Sequence, residues 1–126
     1  GVIAKAAVEV AERIGAKYLV AFTKTGDTAL RLCRLRSEIQ VLAFSPNPTT
    51  SQNMTLAWGV KAWTTPEFMT VDSMVAYVGE TLAQEFLEIE DKAEPMLSSG
   101  DQVVIVMGNP RHSAGKTNSL RVLQIL

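Results

Sequence analysis

KYLVAFTKTGDTALRLCRLR, residues 17–36, runs from a short apolar stretch through a polar turn into an amphipathic one. KYLVAF, 17–22, has the β-rich, non-alternating make-up of a strand covered on both faces. KTGD turns the chain, and TALRLCRLR then places Ala29, Leu32 and Cys33 on one helical face. A strand that leads through a tight turn into a helix is the opening of a parallel βαβ unit.

The flanking sequence repeats the theme. Upstream, Ile3, Ala7, Val10 and Ile14 recur at helical spacing with Lys5, Glu9 and Glu12 between them, and Gly15 ends the run. Downstream, IQVLAF, 39–44, reads as a second strand. In SPNPTTSQNMTLAWG, Asn47 suits a helix cap, Pro48 the first helical position and Gly59 the place just past the end. VKAW is a third strand, with Trp58 and Trp63 flanking it as packing residues. Asp72 is expected to cap a longer helix that points Val75, Val78, Leu82 and Phe86 inward. LEIEDKAEPMLSSGD, 87–101, reads as a polar loop, and Glu88, Glu90, Asp91 and Glu94 as a solvated acidic surface. QVVIVM is a fourth strand and SLRVLQIL a fifth. Helices alternating with apolar strands predict an α/β fold with a doubly wound, parallel sheet. Ligands of such sheets bind beyond the carboxyl ends of the strands. Two loops fall there: TKTGDT, 23–28, and GNPRHSAGKTN, 108–118.

At 126 residues the chain suits one domain, large enough to bury a core without staples. A net charge of −1 offers no field to recruit nucleic acid or an anionic membrane, so neither is expected as a partner. The single cysteine, Cys33, excludes an internal disulfide and points to a cytoplasmic setting. No apolar run approaches the roughly 20 residues a bilayer crossing needs. The first residues lack an initiator methionine and any signal-peptide pattern, so the chain is read as a piece of a longer polypeptide.

Ala114-Gly115-Lys116-Thr117 after an apolar strand raises the question of a nucleotide-binding phosphate loop. That pattern requires a glycine, four residues, then Gly-Lys-Ser/Thr. The position of the first glycine is held by Pro110, and Gly108 lies two residues too early. His112 has no Cys or second His near it to complete a metal site, and Ser113 beside it lacks an orienting carboxylate. Nothing assembles acid, base and nucleophile. TKTGDT offers the Thr23, Thr25 and Thr28 hydroxyls, the Lys24 charge and the opening N–H groups of a helix, a combination suited to an anion. On residue types it reads more readily as an ordinary strand-to-helix turn capped by Asp27 or Thr28, and Asp27 would repel an anion.

With both loops considered, the chain resembles the C-terminal regulatory domain of pyruvate kinase nearly end to end. AAVEVAERIGAKYLVAFTKTGDTALRLCRLR is similar to that domain's first helix, strand, effector loop and second helix. IQVLAFSPNPTTSQNMTLAWGV is similar to its second strand and third helix. In GDQVVIVMGNPRHSAGKTNSLRV, Gly115, Thr117, Asn118, Arg121 and Val122 match the family pattern Gly-x-Thr-Asn-x-x-Arg-Val.

The resemblance implies a three-layer αβα domain with a five-stranded, mostly parallel sheet whose last strand is antiparallel. The Gly-Lys-Thr turn then leads the chain back into an edge strand. It implies a parent enzyme in which a separate barrel transfers a phosphoryl group from phosphoenolpyruvate to ADP with magnesium and potassium. No sequence of that barrel is present, so no cofactor is expected in this chain, and the chain alone is expected to be inactive. Further implied partners are the parent's catalytic domain, identical subunits and a phosphorylated effector. One effector phosphate would be held by Thr23, Lys24, Thr25, Gly26 and Thr28, under a closing loop containing Arg111, Gly115, Lys116 and Thr117. Asp27 stands where some bisphosphate-regulated members carry a basic residue. EFMTVDSM, 67–74, lacks the tryptophan and arginine those members use for a second phosphate. A monophosphate effector is therefore expected. The stretch 87–101 is a few residues longer than is usual in the family.

Overall fold

The computed structural model describes residues 2–67, 70–89, 91–108 and 117–125. Helix α1 (Val2–Ile14) leads into β1 (Tyr18–Phe22), α2 (Asp27–Arg34), β2 (Gln40–Ser45), α3 (Pro48–Trp58), β3 (Lys61–Thr64) and α4 (Val71–Gln84). A hairpin of β4 (Phe86–Ile89) and β5 (Lys92–Pro95) follows, then β6 (Gln102–Gly108) and β7 (Thr117–Gln124). The main sheet has the order β3-β2-β1-β6-β7. Its first four strands are parallel, and β7 runs antiparallel to β6 along the edge, as expected.

Every residue of β1 is buried, because the two faces of the sheet support two separate cores. Leu19 and Ala21 face α1, α2 and α3, where Ala4, Ala7, Ala11, Ala29, Leu32 and Met54 close the first core. The small side chains let three helices approach the strands closely. Tyr18, Val20 and Phe22 face the second core with Val78 and Leu82 of α4. Near the carboxyl ends of three strands, Phe22, Phe44 and Trp63 form a stacked row with centroids 5.4 and 5.0 Å apart. Helix, sheet and helix layers with a buried central strand are the αβα arrangement.

Four local expectations are corrected. Thr70, not Asp72, caps α4: its Oγ1 accepts from the Ser73 N–H at 3.1 Å, and Asp72 lies one step inside the helix. Helix α4 ends at Gln84, because Glu85 turns to extended backbone (ψ 142°), so Phe86 starts β4 and is 57% exposed instead of pointing inward. The stretch 87–101 is not all loop. Leu87 pairs with Glu94 and Ile89 with Lys92 in an antiparallel hairpin turned at Asp91, and Met96 and Leu97 plug the second core. Its acidic residues, poor strand formers, hid that hairpin. Trp63 packs on Phe44, whereas Trp58 is 58% exposed and packs little.

Candidate functional site

Strand β1 sits at the centre of the sheet. From it the chain winds outward through β2 to β3, then returns to place β6 on the other flank. The crevice at the carboxyl ends of β1 and β6 is thus the point where the winding reverses, the usual ligand position in such sheets. Phe22 and Met107 are register partners, so Thr23 and Gly108 begin their loops side by side. Both loops singled out in the sequence leave from this crevice. Of the second, Arg111, Gly115 and Lys116 lie outside the described residues, and so do His112 and Ser113. Thr117 opens β7, paired in backbone register with Gly108.

The first loop is a tightly bonded turn. Thr23 continues the ladder by donating its N–H to Phe44 O at 2.9 Å, and its side chain is nearly buried. Thr23 Oγ1 accepts from the Gly26 N–H at 2.9 Å, and Thr25 Oγ1 accepts from the Asp27 N–H at 3.3 Å. A hydroxyl that accepts in this way keeps its own proton for a further acceptor. Lys24 and Thr25 are exposed, while Thr28 is buried. Gly26 holds a left-handed conformation (φ 90°) and caps α2 with no side-chain bond to the helix N–H groups. Neither Asp27 nor Thr28 is the cap, in contrast to the sequence reading. The Asp27 carboxylate turns along the helix to Arg31, 3.0 Å away. That half-exposed i,i+4 pair contributes only about 0.3–0.5 kcal/mol, but it gives the acid a partner away from the turn.

Helix α3 supports the turn from outside, which sequence reasoning missed. The Thr50 hydroxyl donates to Lys24 O at 2.7 Å. A Cβ on Gly26 would lie 2.8 Å from Met54 Sδ, so the turn backbone rests on that side chain. These partners are some 26 residues apart in the chain, and nothing in a Thr-rich helix start signals the contact.

Other chemistry is sparse. Among the described residues no group of His, Cys, Asp and Glu could hold a metal ion. Burial pushes the Cys33 thiol above its ordinary range, which reduces its reactive thiolate fraction. No helix among the described residues is long and apolar enough to cross a membrane.

Fold and crevice together define a class: a doubly wound α/β domain whose candidate site is a threonine–lysine turn at the sheet's switch point. Residues 2–123 match the family model described as pyruvate kinase, alpha/beta domain. Among curated proteins, the chain is 38% identical over 125 residues to a pyruvate kinase of Mycobacterium tuberculosis, covering 99% of this chain and 25% of that one. It is 37% identical over 122 residues to one of Corynebacterium glutamicum (97% and 24%) and 35% identical over 121 residues to one of Methylorubrum extorquens (95% and 23%). The chain belongs to the pyruvate kinase alpha/beta domain family. It spans about a quarter of the length of these relatives.

Proposed function

We propose that the chain serves as the C-terminal regulatory and subunit-assembly domain of a cytoplasmic pyruvate kinase, and that its β1/β6 crevice binds a phosphorylated effector. The parent enzyme would transfer the phosphoryl group of phosphoenolpyruvate to ADP, with magnesium and potassium held by its catalytic portion. The domain contributes no reacting group of its own. The single observation that carries effector binding is the Thr23–Thr28 turn at the switch point, beside the start of the second loop.

A phosphate at this turn would meet hydroxyl protons of Thr23 and Thr25, the Lys24 ammonium and the positive end of the α2 dipole. Among the described residues Lys24 forms no salt bridge, so its charge remains for a ligand. A monoester suits this arrangement better than a bisphosphate, because one cationic turn neutralises one phosphate. Thr117, with Arg111, Gly115 and Lys116 of the second loop, would supply the cover.

A purely structural assembly domain is the second reading. It is favoured by one feature: the Gly26 and Asp27 N–H groups are already bonded within the turn and are not free for a ligand. A thermal-shift panel of sugar and nucleotide monophosphates and bisphosphates separates the two. Stabilisation by a monophosphate at concentrations where inorganic sulfate has no effect is expected. A melting temperature unmoved by every phosphorylated compound would leave the scaffold reading.

A further inference from the structure

The Thr23–Thr28 turn is gripped from α3 at two places, and the residue between them keeps an unused backbone donor. Thr50 and Met54 stand four apart on α3 and so share a face. Thr50 Oγ1 donates to Lys24 O at 2.7 Å, within the usual range for a hydroxyl on a carbonyl. Met54 Sδ lies 2.8 Å from the place a Cβ on Gly26 would take. Thr25 falls between these two fixed points and is exposed, whereas Thr50 and Met54 are buried.

Lys24 O and the Thr25 N–H belong to one peptide unit. That unit is planar and trans, so its carbonyl and its N–H point in opposite directions. A carbonyl held toward α3 therefore turns the Thr25 N–H away from α3. The Gly26 N–H goes to Thr23 Oγ1 and the Asp27 N–H to Thr25 Oγ1, but among the described residues no hydrogen bond takes up the Thr25 N–H. The next hydroxyl along the helix does something else: Ser51 Oγ donates to Trp63 O at 3.3 Å, toward β3 and not toward the turn.

We propose that Thr50 is a positioning residue of the phosphate site: by holding Lys24 O it aims the Thr25 N–H at a phosphate oxygen, so that α3 sets how tightly the turn binds. The proposal rests on the phosphate reading of the turn given above. An N–H bonded to a phosphate oxygen is charge-assisted and roughly twice as strong as a neutral hydrogen bond. It contributes fully only if the peptide plane is fixed beforehand, because ordering the plane on binding costs affinity. Lys24 is exposed, so water can take its carbonyl when the Thr50 hydroxyl is lost. The fold then loses little, while the peptide plane is free to swing. That difference separates positioning from simple support.

The test is a titration of the nitrogen-15-labelled chain with inorganic phosphate, following the Thr25 amide resonance, alongside melting temperatures without phosphate. The unmodified chain should show a saturable shift at Thr25. In Thr50→Val, which keeps the shape and removes the hydroxyl, phosphate affinity should fall several-fold with little change in melting temperature. Thr50→Ser should restore the affinity, and Ser51→Ala should bind like the unmodified chain. Equal affinity in Thr50→Val and the unmodified chain would overturn the proposal and leave the effector reading intact. So would a loss that Thr50→Ser does not restore, or one that Ser51→Ala shares in step with a falling melting temperature, since both mark a structural role. A Thr25 resonance unmoved by phosphate in the unmodified chain would overturn the proposal and the effector reading together.

Discussion

Two strand-to-helix turns lie next to each other at the carboxyl ends of β1 and β2, and they close their helices in opposite ways. After β2, Asn47 caps α3 from its side chain: Oδ1 accepts from the Thr49 N–H at 2.9 Å, and Pro48 fills the first position, where an N–H would have no partner. The turn consumes its own polarity. After β1, the cap is Gly26, which has no side chain, and the threonine oxygens bond the N–H groups of Gly26 and of Asp27, the first helical residue. The start of α2 thus has no side chain at its cap position, and exposed Lys24 and Thr25 stand just before it. Equivalent topological places become a closed structural turn or a candidate anion site through the choice of cap, and that is what the pair teaches.

The largest effect that could break this contrast is at Gly26. Alanine there must hold φ near 90° and place a Cβ 2.8 Å from the sulfur of the buried Met54. Left-handed strain of about 1–2 kcal/mol and overpacking of similar size add, so Gly26→Ala should lose about 2–4 kcal/mol in urea unfolding. Gly59→Ala is the control: φ is 67° with nothing within 4 Å of the added Cβ, so only the strain, about 1–2 kcal/mol, should appear. Equal losses at the two sites would show that Met54 yields and that the turn does not rest on α3.

Asn47→Ala should come next, at about 1 kcal/mol, the usual value of a lost cap. It should leave phosphate binding unchanged, since the closed turn takes no part in it. A drop in phosphometabolite affinity equal to that of a Lys24→Ala variant would erase the distinction between the two turns.

The smallest structural effect, and the most informative for the ligand, is at Asp27. Replacing it with serine removes the bond to Arg31 and should cost no more than about 0.5 kcal/mol of stability. Binding should tighten several-fold at low salt, because a carboxylate about 4 Å from a phosphate is repelled by about 1 kcal/mol in water and about 4 near a protein surface. The gain should shrink as salt is added. Affinity that stays flat in a salt-controlled titration would mean that Asp27 remains turned to Arg31 and does not face the ligand.

The antiparallel last strand was implied by the family resemblance; period and punctuation alone determined the fold class, the five strands of the main sheet, and the Asn47–Pro48–Gly59 frame of α3. Each of these depends on neighbours within a few residues, where apolar spacing, caps and glycine act directly. The position of TKTGDT at a strand's carboxyl end followed from the same order of elements.

Tertiary structure decided what local sequence cannot carry. Thr70 rather than Asp72 became the cap of α4, since both are competent and the packing of Val78 and Leu82 on the sheet sets where that helix begins. The charged hairpin of β4 and β5 formed because Met96 and Leu97 anchor its end in the second core, against the weak strand preference of its own residues. Asp27 found Arg31 instead of the turn, and the turn itself came to rest on Thr50 and Met54 from another helix. Contacts between residues far apart in the chain depend on how helices and strands are stacked, and that stacking is settled only when both faces of the central strand are buried at once.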